Sequence, residues 1–289
     1  MTGQPAPRPP GLSRRRFLEV ASAAVGLGAV GLGSRPVRAA VPRRPLRRED
    51  PAPDTPFERL HYPLLSLPMV TTNGAKVPIT VEMAHPMEPD HSITSIHVVN
   101  ERDPVPWKGT FHFTPANGQV YVSYQARIDQ GVSDVSATAD CNRHGRWSSV
   151  HSINIPPGGG GCASPAPPPT RTAVAEPRPP RIRIPQLVKH GRIRPDELVD
   201  VQLLMRHPSR TGLVARDGTF VQETEPFFLQ EMQVVYAGQP VSRFAMSSAL
   251  SDDPFITFRL RARHEGLLHV LLTNNRGQRF EATHQLRFA

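Results

Sequence analysis

Two cysteines and several histidines are the side chains of this 289-residue chain whose types and spacing could do chemistry. Cys141 lies three residues before His144, His85 lies six residues before His91, and His61 lies farther upstream. Imidazole and thiolate are ligands that suit iron, zinc or copper rather than magnesium or calcium. If the loops that carry these five side chains meet at one end of a β-sandwich, they form a metal site.

The second cysteine, Cys162, predicts a different chemistry. It follows four consecutive glycines, residues 158–161, and precedes a Pro-rich stretch. Glycine lacks side-chain bulk and permits positive φ, so the pattern indicates a mobile arm that can enter a narrow active site with a thiolate nucleophile. Two alternatives stay open at this point: a plain glycine linker with an incidental cysteine, and a disulfide between Cys141 and Cys162, which an oxidising compartment allows.

The first 39 residues have the pattern of a twin-arginine export leader. The sequence SRRRFLEV at 13–20 is followed by a short apolar run rich in Gly and Ala, and then by VRA at 37–39, a small-residue cleavage signal. A membrane anchor is the alternative, but the run at 17–33 is short and contains Glu19. We therefore predict a periplasmic protein with no membrane contact after removal of the leader.

The charge of the chain argues against nucleic-acid binding. The formal net charge is +9, with 34 basic and 25 acidic residues. The leader holds six Arg and one Glu, which leaves 28 basic and 24 acidic residues, or +4, for the remainder. No stripe of Lys and Arg with interleaved aromatic residues is present, so the sequence predicts no nucleic-acid partner.

The elements that must position the candidate residues are short strands. Residues 40–56 are charged and Pro-rich and predict a disordered lead-in. Residues 57–155 contain short apolar runs separated by turns such as Asn73-Gly74, and residues 182–289 have the same pattern. Residues 156–181, which include Cys162, form a linker rich in Gly and Pro. We predict an all-β fold of two immunoglobulin-like antiparallel β-sandwiches, in contact with each other and joined by this linker.

The histidine and cysteine motifs resemble a known family. HPM at 85–87 followed by HSI at 91–93, together with CNRHGRW at 141–147, is similar to the iron-binding domain of desulfoferrodoxin and superoxide reductase. That resemblance implies a mononuclear non-haem iron with an open sixth position. It implies Cys141 as the axial ligand, and four equatorial imidazoles: His61, His85, His91 and His144.

One departure from that family concerns superoxide turnover rather than metal binding. The family has Glu-Lys directly before the first histidine, and the lysine attracts superoxide. Here the sequence is Glu58-Arg59-Leu60-His61, so Leu60 stands at the lysine position.

The remaining motifs resemble a second pair of families. Stretches such as NGAKVPITVEM at 73–83 resemble SoxY, the sulfur carrier of periplasmic thiosulfate oxidation, whose cysteine lies on a glycine arm. LMRHPSRTG at 204–212 and DDPFITFRLRA at 252–262 resemble its partner SoxZ. In SoxY the chain ends in glycines after the cysteine, whereas Ala163-Ser164 follow it here and the chain continues.

The two resemblances together predict a fused SoxY–SoxZ carrier of sulfur compounds with an iron site. Cys162 is the predicted covalent attachment residue, and periplasmic sulfur-oxidising enzymes and cytochromes are the predicted partners. The alternative function is an iron oxidoreductase of the superoxide reductase type. Both functions use the same first sandwich.

Overall fold

The computed structural model describes residues 43–163 and 176–288, which belong to one compact unit. The predicted export leader lies outside these residues, and so does the Pro-rich middle of the predicted linker, 164–175. Two helices of six residues occur, α1 (Pro56–His61) and α2 (Pro185–His190). In the described ranges no helix is both long enough and apolar enough to cross a membrane.

The described residues are mostly β-strands. The strands of the first half are β1 (Leu46–Arg47), β2 (Leu64–Ser66), β3 (Val77–Met83), β4 (Ile93–Val99), β5 (Trp107–Phe113), β6 (Val120–Ala126), β7 (Gly131–Cys141) and β8 (Gly145–Ile155). The strands of the second half are β9 (Arg181–Arg183), β10 (Glu197–Leu204), β11 (Leu213–Arg216), β12 (Thr219–Gln222), β13 (Leu229–Tyr236), β14 (Gln239–Met246), β15 (Phe255–Ala262), β16 (Gly266–Asn274) and β17 (Arg279–Leu286). Buried residues alternate with more exposed ones along β3, β6, β7 and β8, which is the period of two that a half-buried strand requires.

These strands form two large sheets and one separate hairpin. One sheet has the order β1-β8-β7-β4-β5-β14-β13-β16-β17, the other has the order β2-β3-β6-β15-β10-β9, and β11 pairs with β12. The inward side chains of both large sheets form one hydrophobic core. The prediction of an all-β fold built from antiparallel sandwiches is confirmed.

Both large sheets continue from the first half of the chain into the second. β5 pairs antiparallel with β14 over five residues, and β6 pairs with β15 over two. Aromatic rings pack across the same boundary: the ring centroids of Phe111 and Phe244 are 5.1 Å apart in an edge-to-face arrangement. The predicted contact between the two sandwiches is therefore a pair of shared sheets, which the strand pattern alone does not reveal.

The predicted disorder of the lead-in does not hold for residues 43–56. β1 pairs in parallel with β8, and the guanidinium of Arg47 binds the carboxylate of Asp134 at 3.0 Å. The guanidinium of Arg48 donates to Nε2 of His151 at 2.6 Å. The charged residues that made this segment resemble a disordered one are thus partners of groups on β7 and β8.

Asn117 stabilises the boundary between the halves. Its side chain is fully buried, and Nδ2 donates at 2.8 Å both to Oγ of Ser242 and to the carbonyl oxygen of Arg259. Its Oδ1 accepts from the N–H of Thr114 at 3.0 Å. One amide of the first half therefore binds two strands of the second half.

We expect Asn117→Ala to lower the free energy of unfolding in urea by about 2–4 kcal/mol, because it leaves buried groups of both halves without partners. Asn154→Ala is the matched control, since Asn154 lies on an exposed position of β8. A loss for Asn117→Ala no larger than that of the control would show that this amide does not stabilise the boundary.

Candidate metal centre and buried thiol

His61 is positioned by the start of α1. The helix begins with a capping box in which the N–H of Glu58 donates to Oγ1 of Thr55 at 3.2 Å and the carboxylate of Glu58 accepts from the N–H of Thr55. Pro56 stands in the first turn, where a missing N–H costs nothing. Because the start of the helix is fixed, its last residue, His61, points into the sandwich and is fully buried.

The loop between β3 and β4 supplies two more imidazoles. His85 follows β3 and is 2% exposed. His91 lies in a tight turn that is closed by two backbone hydrogen bonds of 3.1 Å, exchanged between Glu88 and His91. Met87, between the two histidines, is buried in the hydrophobic core and anchors the loop.

The hairpin between β7 and β8 supplies the thiol and the fourth imidazole. Cys141 ends β7 and pairs with Gly145 at the start of β8, so His144 lies in the connecting turn. Gly145 has φ of +72°, a left-handed conformation that favours glycine. Oδ1 of Asn142 accepts from the N–H of Ser92 at 3.0 Å and ties the turn to the beginning of β4.

The five predicted ligands lie together. Nε2 of His61 is 3.0 Å from Nδ1 of His144 and 3.3 Å from Nε2 of His85. Nδ1 of His144 is 3.1 Å from Nε2 of His91. Sγ of Cys141 is 3.5 Å from Nε2 of His85 and 3.7 Å from Nδ1 of His144. Three Nε2 atoms, one Nδ1 atom and one sulfur therefore face a common point.

The four rings surround that point in the order His61, His144, His91, His85. Neighbouring rings in this order are steeply inclined to each other, with interplanar angles of 84°, 82°, 75° and 86°. His61 and His91 stand opposite each other, with ring centroids 5.7 Å apart. This is an arrangement in which each ring edge can direct one nitrogen at the same atom.

Hydrogen bonds on the outer side of two rings fix their tautomers. Nδ1 of His61 donates to the carbonyl of Phe57 at 2.7 Å, and Nδ1 of His85 donates to the carbonyl of Pro86 at 2.6 Å. Burial lowers the pKa of His61, and it lowers the pKa of His85 to about 4. Both rings are therefore neutral at pH 7, and their Nε2 atoms carry lone pairs rather than protons.

The distance between these lone pairs indicates whether a metal fits the cluster. Two unprotonated Nε2 atoms face each other at 3.3 Å with no hydrogen available between them. A shared cation satisfies both, and two nitrogen ligands at right angles around a metal with bonds of about 2.1 Å are about 3 Å apart. The donor set and its spacing thus fit a metal of the iron, zinc and copper group.

Aromatic rings and one arginine cover the cluster. The ring of Phe57 lies 4.3 Å from that of His61, and the ring of Trp147 lies 4.9 Å from the same imidazole. Arg43 lies 3.8 Å over Trp147 and donates to the carbonyl of His144 at 3.1 Å. Burial, followed by His91, Arg143 and Arg43, lowers the pKa of His144.

Cys162 is fully buried, whereas the glycine run predicts a thiol on a mobile arm. The N–H of Gly161 donates to the carbonyl of Ile128 at 2.9 Å, and the N–H of Gly74 donates to the carbonyl of Gly159 at 2.8 Å. A Cβ on Gly161 would collide with the backbone of Gly74. Gly159 and Gly161 therefore serve close backbone packing of a docked segment, and burial raises the pKa of the Cys162 thiol to about 12.

Residues of the second half complete the enclosure of Cys162. Oγ1 of Thr211 donates to the carbonyl of Cys162 at 2.6 Å. Buried Arg127 donates to the carbonyl of Gly161 at 3.2 Å and to the carbonyl of Ser209 at 2.9 Å. The thiol thus lies where the two halves meet.

The two cysteines are free and lie at opposite ends of the first sandwich. Cys141 ends β7, whereas the segment of Cys162 packs beside the start of that strand, where Gly158 donates to Gln130. The ten intervals between the eleven residues of β7, at about 3.3 Å each, make the strand roughly 33 Å long. A disulfide requires Cα atoms within about 7 Å, so the alternative of a Cys141–Cys162 bridge is wrong for this conformation.

Sequence reasoning missed the residues that cover the two sites. Phe57 lies four residues before His61, a helical spacing that indicates contact, and Trp147 ends the CNRHGRW motif. Thr211 lies in the LMRHPSRTG stretch, which carried a resemblance but no assigned role. Nothing in the sequence marks Arg43 or Arg127.

Comparison with known proteins gives family matches in tandem. The family described as "Sulfur oxidation protein SoxY" matches residues 64–162, and the family "Sulphur oxidation protein SoxZ" matches residues 188–285. No curated protein matches the chain significantly.

Solved structures similar to the chain include two superoxide reductases. One, a superoxide reductase (neelaredoxin) from Ignicoccus hospitalis, is 23% identical, with 34% of this chain and 82% of that chain covered and a TM-score of 0.29. The other, a putative superoxide reductase from Thermotoga maritima, is 25% identical, with 34% and 89% covered and a TM-score of 0.30.

The SoxY match ends at Cys162, and the SoxZ match includes the loop that covers it. The chain therefore belongs to the sulfur oxidation proteins, with a SoxY-family domain and a SoxZ-family domain fused in one polypeptide.

Proposed function

We propose that this protein is a periplasmic carrier of sulfur compounds in thiosulfate oxidation, with Cys162 as the residue that binds them covalently. The observation that carries the proposal is the place of this thiol. It is the last residue of the SoxY match, it follows four glycines, and residues of the SoxZ domain enclose it. The SRRRFLEV leader supports export by the twin-arginine route.

The proposed carrier chemistry depends on nucleophilic sulfur. The Cys162 thiolate would form an S–S bond to the outer sulfur of thiosulfate, giving Cys–S–S–SO₃⁻, and a partner cytochrome would accept the two electrons lost in forming this bond. A partner enzyme would then hydrolyse the terminal group, so that sulfate leaves and a persulfide stays on Cys162. Burial disfavours the thiolate of Cys162. Loading therefore requires exposure of the segment that carries this residue.

We expect protein purified from its native source during growth on thiosulfate to carry sulfur adducts on Cys162. Intact-mass and peptide-mass measurements under non-reducing conditions detect them. Cys162→Ser abolishes the adducts, because no nucleophile remains, while Cys141→Ser retains them. A bare Cys162 thiol under these growth conditions contradicts the carrier function.

We further propose that the histidine and cysteine cluster holds one non-haem iron. His61, His85, His91 and His144 would be its imidazole ligands, and Cys141 would be its thiolate ligand. An iron in this ligand set supplies one-electron chemistry toward a small oxidant. The Cys141 thiolate would donate electron density to that metal, and carbonyl partners such as that of Phe57 hold the imidazoles in the ligating tautomer.

The convergence of five ligands favours a second candidate function, an iron oxidoreductase of the superoxide reductase type. Leu60, next to His61, offers no charge that could attract superoxide. Two cations, Arg43 and Arg143, lie near His144, and Arg43 donates to the carbonyl of that residue. The iron site and the carrier thiol are separate sites, so both functions can hold at once.

We expect anaerobically purified protein to bind about one iron and, after oxidation, to show a charge-transfer band from thiolate to iron. Cys141→Ser removes this band because the sulfur ligand is lost, and His85→Ala lowers metal affinity roughly 10- to 100-fold or more. His112→Ala is the control, since His112 is exposed on β5 and outside the cluster. Equal metal content in His85→Ala and wild type would refute the site.

A further inference from the structure

The loop at 207–212 of the SoxZ domain, here called the cap loop, covers the backbone of Cys162. Oγ1 of Thr211 donates to the Cys162 carbonyl at 2.6 Å, and the residues at both ends of this hydrogen bond are buried. A second link is the guanidinium of Arg127, which bridges the carbonyl of Gly161 and the carbonyl of Ser209. The cap loop thus contacts the cysteine segment through two independent polar links.

The cap loop is itself held in place. His207 is fully buried, and its ring lies 4.5 Å from that of Phe227. Nδ1 of His207 shares a 2.9 Å hydrogen bond with Oγ of Ser209, and the N–H of His207 donates to Asp253 at 2.9 Å. Because the cap loop is anchored to the second sandwich, any movement that exposes Cys162 must break its links to Thr211 and Arg127.

The floor beneath the cysteine segment is equally closed. A Cβ on Gly159 would lie 2.8 Å from the carbonyl oxygen of Thr72, and one on Gly161 would collide with Gly74. Below them, Nζ of buried Lys108 donates at 2.5 Å to Asp103 and at 2.9 Å to the carbonyl of Arg127. The Cys162 side chain is 0% exposed in these close-packed surroundings, so an added sulfur group cannot extend from the docked thiol into solvent.

We propose that the cap loop holds the carrier in a closed state that excludes sulfur cargo, with Thr211 and Arg127 as its positioning residues. The bare thiol docks under the loop and is shielded from reaction. A loaded thiol is both larger and anionic, so the segment stays undocked until the cargo is removed. This inference rests on the proposed carrier role of Cys162 and names the regulation of that residue.

The loading step can be written with a polythionate as the cargo donor. The Cys162 thiolate attacks an inner sulfur of tetrathionate, one S–S bond breaks, one Cys–S–S–SO₃⁻ bond forms, and thiosulfate leaves with the electron pair. No further oxidant or reductant is needed. The adduct adds two sulfur atoms, three oxygen atoms and one negative charge to a side chain that is 0% exposed when docked.

The closed state is tested by the rate at which iodoacetamide alkylates Cys162, measured by peptide mass so that Cys141 is followed separately. We expect wild-type Cys162 to react at least roughly a hundredfold more slowly than in urea-unfolded protein, because only the opened state reacts. Thr211→Val raises the rate about fivefold through loss of one hydrogen bond. Thr211→Ser, which keeps the hydroxyl, stays within about twofold of wild type.

Two further variants separate the closed state from general stability. Thr219→Val removes a comparable hydroxyl bond, to the carbonyl of Arg216 at 2.9 Å, away from Cys162, and leaves the alkylation rate unchanged. Gly161→Ala, which cannot dock, raises the rate roughly tenfold or more. The proposal is overturned if wild-type Cys162 reacts as fast as in unfolded protein, or if Thr211→Val reacts no faster than Thr219→Val.

Hydrogen exchange then tests whether cargo and closure exclude each other. After tetrathionate treatment we expect the amides of Gly161 and Gly74 to lose protection against hydrogen exchange. Their hydrogen bonds, to the carbonyls of Ile128 and Gly159, form only when the cysteine segment is docked. Retained protection in fully loaded protein refutes mutual exclusion. The rate at which iodoacetamide alkylates Cys162 does not depend on sulfur metabolism. Absence of native adducts on Cys162 would therefore refute the carrier role, whereas the alkylation rates alone decide whether the closed state exists.

Discussion

Main-chain pairing between the two halves is the constraint on which the rest of this structure depends. β5 pairs with β14 and β6 pairs with β15, so both large sheets cross from the SoxY domain into the SoxZ domain. The aromatic core crosses with them, through Phe111 and Phe244. This fixed relation places the loop with Thr211 directly over Cys162. A flexible connection between two separate sandwiches could not enclose a thiol in this way.

The same first sandwich holds a different site at its far end. β7 separates the two, because Cys141 ends the strand and the segment of Cys162 packs beside its start. The separation of roughly 33 Å, from a rise of about 3.3 Å per residue, means that the imidazoles do not touch the docked thiol. The histidine and cysteine cluster has its own cover of Phe57 and Trp147. One β-sandwich thus positions the histidine and cysteine cluster and the buried thiol, which do not share a residue.

Local patterns in the sequence predicted the strands, and the resemblance to the iron-binding family predicted which histidines and which cysteine lie together. The motifs with His85, His91, Cys141 and His144 could be recognised from their residue types and from the intervals between them. What depends on distant pairing was not predictable. The glycines before Cys162 predict a mobile backbone when only the local sequence is considered, but in the structure they pack against Gly74. Thr211 is 49 residues away from the Cys162 carbonyl to which it donates. The ion pair between Arg47 of the charged lead-in and Asp134 on β7 likewise joins residues far apart in the sequence.

The central chemical claim is that His61, His85, His91, His144 and Cys141 bind one metal ion together. The most direct measurement is X-ray absorption at the iron edge on anaerobically purified protein. The account predicts a shell of four nitrogen atoms at about 2.1 Å and one sulfur atom at about 2.3 Å. A shell of oxygen atoms without sulfur, or protein that contains no iron after anaerobic purification, would contradict it.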